Sequence, residues 1–450
     1  MWGISNSNYA GAMGMELNPA IMVGAHYRWE LHLVSSDVFM MNNYMYLRKN
    51  SRMIRKGIKG ESVEQDRVAD NYSSSDKLGY ASAFVKYPGF IWSGKKTALG
   101  FHMSSRLALS ARGVPYHLAK FMKEGFNYTP QQNIHYTGSG TKAAAINWHE
   151  AGISAGTVLY DSKEACVTGA ITVNYLYGLN SFYALINNID YIVPSDSLWK
   201  INIANVEYGH AVADKGDNAV SDALANKGNG FSTTIGMQYY RNRSDNAYLP
   251  CTQDAKEKKY DYRIGFSLLD IGKIKFNKHA SKFLFNNVSS DWYGIDTVKF
   301  NSIANMDSLF NQQFLQNFTG GKKADRFSLF LPAAASIQFD YSLTPVWYVN
   351  VSCIQRLPLG NYAVKRPNQI SITARYETRR FEIDIPWSLY DLYRNRIGFA
   401  LRYGILVIGT DMIGPFTGLS NAYGLDLFFG LKWQHFGDCG PTRNHHAKRG

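Results

Sequence analysis

From Gly424 to Phe436 the chain reads G-L-D-L-F-F-G-L-K-W-Q-H-F. Leu425, Leu427, Phe429, Leu431 and Trp433 fall on one side of an extended strand, and Asp426, Gly430, Lys432 and Gln434 on the other. Successive side chains of a strand point to opposite faces, so this stretch separates an oily face from a wet one. The beat recurs along the chain. Leu99, Phe101, Met103, Leu107 and Leu109 interleave with His102, Ser104, Arg106 and Ser110. Further stripes are Ile171–Tyr177, Phe231–Tyr239, Tyr262–Leu268, Ile337–Tyr341, Trp347–Val351, Ile370–Tyr376 and Phe381–Trp387. Ile397 to Val407 alternates with Gly398, Ala400, Arg402 and Gly404 and reads as one strand, and Trp29, Leu31 and Leu33 open a first strand running on toward Leu47.

Short turns are expected at Gly94–Lys96, Asp161–Ala165, Gly272–Lys273, Leu343–Pro345 and Thr378–Arg379, with longer connections between many of them. Short and long connections alternate in antiparallel membrane barrels, whose two ends differ. No run of some eighteen apolar residues exists, which excludes helical spans. The fold class is therefore all-β: a transmembrane antiparallel β-barrel. The stripes count to about fifteen, and a bacterial barrel with both ends on one side needs an even number. About fourteen strands is the expectation, with sixteen the alternative.

Composition agrees. Charged residues are 18% of the 450-residue chain and aromatics 14%, with 30 Tyr, 25 Phe and 9 Trp. Tyr and Trp concentrate where hydrocarbon meets water. The net charge of +13 is spread over many strands rather than gathered in one patch, which argues against nucleic acid. Outer-membrane lipid and lipopolysaccharide phosphates, or an acidic partner, are the expected counter-charges. Cys166, Cys251, Cys353 and Cys439 lie far apart and show neither metal-ligand spacing nor a disulfide framework, although their pairing is open. The opening Met-Trp-Gly-Ile-Ser has no basic-then-apolar leader, as in a mature or trimmed chain.

Three segments depart from the beat. Residues 1–26, rich in small residues and containing Asn18-Pro19, suit an irregular plug ahead of a barrel over 27–436. Val114–Phe126 and Met306–Phe318 read as amphipathic helices over a barrel rim, the first with Pro115 near its start and Gly125 as a stop. A basic loop follows Leu47, and the tail 437–450 is short, polar and basic.

The inward faces carry charges of both signs: Arg28, Glu30, Arg106, Asp261, Arg263, Asp340, Arg375, Glu382, Asp384, Arg402, Asp426 and Lys432. A two-residue turn at Thr378-Arg379 would set Arg375 opposite Glu382. Such groups either lock the lumen as an internal salt-bridge network or line a solute path, and mixed signs favour the first. Catalytic residues are not expected, because His149-Glu150, His102 and His445-His446 have no spaced partners. No metal or cofactor is expected either.

Ala10-Gly11-Ala12-Met13-Gly14 followed by Asn18-Pro19-Ala20 resembles the N-terminal hatch of the FadL/PorV superfamily of outer-membrane proteins. Trp433 to Phe436 is similar to the C-terminal signature of bacterial outer-membrane barrels. With Val114–Phe121, Ser267–Ile274 and the C-terminal third, the wider chain resembles a Bacteroidota outer-membrane family of unknown function. The resemblance implies a bacterial cell outer-membrane location, with Asn18, Pro19 and Ala20 on a hatch or ligand path. It also implies either a conduit for small hydrophobic or amphipathic molecules, or a non-transporting barrel that joins outer-membrane or periplasmic protein partners in a complex. A conduit would show an apolar cavity beside Asn18-Pro19-Ala20 and a kink or gap in the wall; a scaffold would show a filled lumen.

Overall fold

The computed structural model describes residues 1–49, 68–162, 164–213, 222, 224–242, 259–298, 302–315 and 321–436. The wall follows from the alternation. Strands that are oily on one face and polar on the other can all be satisfied at once in lipid only by pairing edge to edge until the last meets the first. The strands are β1 (Trp29–Asn42), β2 (Lys77–Lys86, continued by Gly89–Ser93), β3 (Thr97–Val114), β4 (His135–Asp161) and β5 (Ala165–Ser195). Next come β6 (Leu198–Ala211, then Gly228–Arg241), β7 (Tyr262–Phe276, then Ala280–Tyr293) and β8 (Lys322–Ala324, Phe327–Phe330 and Ala334–Ser342). The rest are β9 (Trp347–Arg356), β10 (Gln369–Glu377), β11 (Phe381–Tyr390), β12 (Arg394–Ile397 and Phe399–Tyr403), β13 (Leu406–Thr410) and β14 (Gly424–His435). Each pairs antiparallel with the next, and β14 pairs with β1 from Trp29–His435 to Met41–Gly424. The result is a closed barrel of 14 strands.

Exposure follows the alternation. On β3, Leu99, Phe101, Met103, Leu107 and Leu109 are exposed while Ser104 and Ser110 are buried. On β14, Trp433 is 56% exposed and Lys432 1%. An apolar outer belt around a polar, buried interior is the reverse of a water-soluble protein and defines a transmembrane barrel. No described helix is long and apolar enough to cross a membrane.

The wall is uneven. β4 and β5 have 27 and 31 residues, against 5 in β13. On β5 the buried positions are Thr172, Asn174 and Leu176 below, but Ser181, Tyr183 and Leu185 above, and the register against β4 slips at Asn147/Trp148. One inserted residue changes which parity faces inward, and this bulge carries the strand pair into a crown above the belt. The crown's inner face is aromatic, with Tyr191, Tyr208, Phe283 and Phe285 buried. Two helices cover it: α1 (Tyr116–Glu124), which begins after Pro115 and stops at Gly125 with φ +83°, and α2 (Ile303–Leu315). Met306, Phe310 and Phe314 of α2 pack on this cluster, as their i, i+4 spacing requires; Phe318 lies outside the described residues.

Several sequence expectations are corrected. β1 ends at Asn42, because the Asn42 side-chain oxygen accepts the Tyr44 and Met45 N–H groups and turns the chain; Met45–Leu47 then pairs with Val68–Asp70 outside the wall. Gly272–Lys273 is no turn but the middle of β7, where a Cβ on Gly272 would overlap Ser232 of the adjacent strand. Ile397–Val407 is two strands joined at Gly404, which has φ +56°; Val407 consequently points inward, and Leu406 and Ile408 face lipid. Cys353 is exposed on the lipid face and Cys166 is buried, while Cys251, Cys439, the basic loop from residue 50 and the tail 437–450 lie outside the described residues.

The belt makes a direct prediction. Met103→Arg, in the middle of the β3 stripe, should lower unfolding stability in lipid vesicles by about 2–4 kcal/mol. Urea titration measures it, and an unchanged midpoint would place Met103 outside the hydrocarbon.

Candidate functional site

Residues 1–25 occupy the lumen as short helical turns, Trp2–Ser5, Gly11–Glu16 and Pro19–Met22, with no regular ladder of their own. Their backbone groups need partners, and the wall supplies charged ones. The Asn6 carbonyl accepts from Arg263 at 2.5 Å and Arg375 at 3.0 Å. The carbonyls of Tyr9 and Ala10 accept from Lys432, and that of Ala12 from Lys86 at 3.0 Å. Carboxylates serve the N–H groups. Asn8 donates to Glu377 at 3.0 Å and Ala12 to Glu30 at 2.8 Å. Gly11, at φ +61°, lies so close that a Cβ would overlap the Glu30 carboxylate.

The same side chains pair with one another. Arg375 donates to Asp340 at 2.8 Å and forms an ion pair with Glu377 at 3.0 Å, Lys259 donates to Glu377 at 2.8 Å, and Arg402 to Glu382 at 2.7 Å. Glu382 also accepts the Ser7 hydroxyl at 2.9 Å. Hence the mixed signs noted in the sequence correspond to a socket: cations for carbonyls, anions for amides.

Asn18, Pro19 and Ala20 are buried against β6 and β7. The Asn18 side-chain NH₂ donates to the Met237 carbonyl at 3.0 Å, the Phe266 carbonyl at 3.4 Å and Gln338 at 3.0 Å, and its oxygen accepts Ala20 N–H at 3.0 Å. Gly236 makes room, since any Cβ there would overlap the Asn18 side-chain oxygen.

The remaining candidates divide. Arg106 bonds Asp270 at 2.9 Å through both terminal nitrogens and lies over the Trp148 ring, away from the N-terminal segment's carbonyls. Asp426 accepts the Asp411 N–H at 2.6 Å. Asp384 is buried and neither of its oxygens accepts a hydrogen bond. Arg28 and Asp261 do not join the lumen groups. Arg28 is exposed, with its backbone bonded to His435 and Ser93 at the wall's lower edge, and Asp261 bonds Asn242 at 2.6 Å on the same rim. Arg375 faces Asp384, not Glu382, because the turn between β10 and β11 is longer than two residues and puts Glu377 opposite Glu382. The sequence reading passed over Lys86, Lys259, Glu377 and Asp411. Lys86 and Glu377 end their strands at buried positions, a signal that alternation carried; Lys259 and Asp411 lie just outside a strand and had none.

On the outer side, residues 357–368 between β9 and β10 fold inward. Tyr362 bonds Glu207 at 3.2 Å, Arg366 bonds Asp270 at 2.6 Å, and Val364 is buried with Trp148, Leu176 and Phe276. Above this loop opens a vestibule of about 540 Å³. Below it, a cavity of about 190 Å³ is walled by Phe39, Tyr80, Trp148, Ile354 and Tyr390, with Arg106, Arg366 and Asp37 among them and Leu17 of the N-terminal segment as part of its floor. Among the described residues no group of His, Cys, Asp or Glu side chains is arranged to hold a metal.

The fold and this lumen define a plugged transmembrane β-barrel. A family model, the family of unknown function DUF5723, matches residues 19–411, and the chain belongs to that family. No curated protein matches. Among solved structures the chain is similar to the toluene transporter TbuX of Ralstonia pickettii (8% identity, 95% of this chain and 94% of that, TM-score 0.42). It is also similar to the toluene transporter TodX of Pseudomonas putida (9%, 96% and 94%, 0.38) and to the translocator domain of the autotransporter NalP from Neisseria meningitidis (6%, 90% and 88%, 0.30). The assignment of fold rests on the chain's own closed ladder.

The socket predicts a release phenotype. Lys432→Met removes the ammonium that holds two carbonyls and faces Glu30, and stranding a buried partner costs about 3–5 kcal/mol. Hydrogen exchange at Asn8–Ala12 should rise while exchange in β3–β5 stays unchanged; equal protection in both proteins would show that Lys432 does not hold the segment.

Proposed function

We propose that this is an outer-membrane barrel of a bacterial envelope that conducts small amphipathic molecules, closed at rest by the N-terminal segment and the inward loop 357–368. The observation that carries the reading is the stacking of the vestibule, the loop and the cavity, with Lys365 of the loop bordering both spaces and Leu17 of the N-terminal segment, rather than Asn18-Pro19-Ala20, lining the lower one. An apolar cavity of about 150 Å³ takes one benzene ring. At about 190 Å³ this one suits a solute of similar size, and its lining mixes aromatic rings with arginines. An amphipathic guest matches that lining better than a purely apolar one.

Loop 357–368 is the element best placed to move first. It touches the wall through backbone hydrogen bonds of Tyr362 and Val364 with Phe330 and through a few side chains, whereas residues 6–12 are held by buried charges. Arg366→Gln removes the charge-assisted bond to Asp270, worth about 1.5–3 kcal/mol, together with the Nε bond to the Pro332 carbonyl at 2.7 Å, and leaves Asp270 paired with Arg106. The displaced-loop population should therefore rise about 10- to 100-fold. In proteoliposomes, uptake of a small aromatic acid should rise by up to that factor over wild type. Uptake at the level of empty vesicles for both proteins would sink the conduit reading.

One observation favours a second reading, a barrel that works as a scaffold for envelope protein partners. The socket of buried ion pairs around residues 6–12 fills the lumen, as a non-conducting barrel would. That reading expects no uptake by either protein and a stable neighbour retained through purification.

A further inference from the structure

The outer vestibule is lined by Lys77, Arg112, Lys142 and Lys365, and Asp76 is the sole carboxylate among its described lining residues. Each cation's own contacts leave its charge largely uncancelled. Lys142 donates to the Asn361 side-chain oxygen at 3.2 Å, Lys365 to the Leu357 carbonyl at 3.4 Å and Lys77 to the Ser73 carbonyl at 3.0 Å. Arg112 has a buried Nε with no hydrogen-bond partner. Burial and then the neighbouring charges of Lys142, Arg112 and Arg356 push the Lys365 ammonium pKa down, as crowded cations lacking counter-charge do. The backbone makes the room: Gly113 and Gly140, at φ +66° and +73°, lie against each other where β3 meets β4.

We propose that this vestibule is a binding site for a soluble oxyanion carrying two or more negative charges, such as a phosphate ester, held by Arg112, Lys142 and Lys365. Like charges that burial forces together are relieved by an anion that bridges them, and a guanidinium with an unpartnered N–H is a natural partner of a phosphate oxygen. The vestibule faces the barrel interior, where Ala144, Tyr183 and Leu185 turn inward, so a solute reaches it from the water above rather than from lipid. Lys365 borders both this site and the cavity below, so occupancy above bears directly on the loop that separates them. Anion binding stands apart from conduction, since a purified barrel binds whether or not it transports.

Titration calorimetry with inorganic tripolyphosphate on the detergent-purified full chain tests it. Wild type should bind saturably and lose affinity with added salt. Arg112→Gln combined with Lys365→Gln should weaken binding by about tenfold or more. Lys142→Gln, on an exposed side chain, should weaken it by a smaller factor and serves if the double variant does not fold. Lys200→Gln, on the outer face beside Asp291 at 3.8 Å, should change nothing. Equal affinity in wild type and both vestibule variants, or equal loss in Lys200→Gln, overturns the site. Competition by detergent-dispersed lipopolysaccharide as strong as by free phosphate ester would overturn the assignment to a soluble anion.

Discussion

An irregular stretch of backbone can sit at membrane depth only where each N–H and C=O finds a partner, and here the partners are charged side chains of the wall. Arg263, Arg375, Lys86 and Lys432 face carbonyls; Glu30 and Glu377 face amides. A buried charge is costly alone, and Arg263, Arg375, Lys86 and Glu377 are each offset twice, by the N-terminal backbone and by an opposite charge beside them, while that backbone holds Lys432 and, with Gln434, Glu30. The segment and the lumen therefore depend on each other. Without residues 6–12 the inner wall would hold arginines and carboxylates short of partners, and without the wall those residues would hold unpaired amides.

The outer half is built on a different principle. There the interior turns aromatic and apolar, because the β5 bulge changes which residues face inward and brings Tyr183 and Leu185 to the core side. Loop 357–368 seals this region with Tyr362 and Val364, using packing and a few polar contacts. Ion pairs lock geometry strongly and fail all at once, whereas a loop on an apolar bed has several modest contacts to lose. The molecule thus has a stiff inner closure and a softer outer one.

How much of this was legible follows from the same contrast. Alternation is a property of single strands, so the belt, the even closure and the two rim helices could be read from residues such as Met103, Trp433 and Phe310. Register belongs to pairs of strands. Arg375 was set against Glu382 because the turn after Glu377 was taken as shorter than it is, and Gly404 was read as an inward position because a glycine at positive φ reads the same in a one-letter string. Arg28 and Asp261 sat on the expected parity, yet they lie at strand ends, where parity no longer means lumen. Lys259 precedes a strand, so periodicity could not mark it; only the closed barrel brings it to Glu377.

The two closures also bear on how mixed charges in a barrel should be read. A selective constriction gathers one sign around an axis. In this lumen the signs are paired tooth by tooth along residues 6–12, and the one-sided cluster occurs above, around Arg112 and Lys365, where among described residues little backbone or carboxylate answers it. Charge that is answered by the protein's own backbone is structure; charge left unanswered at a mouth is recognition. By that criterion the inner network holds the N-terminal segment, and the outer cluster is the place for the anion site proposed above. The loop between them, with Lys365 facing both sides, is where the two roles meet.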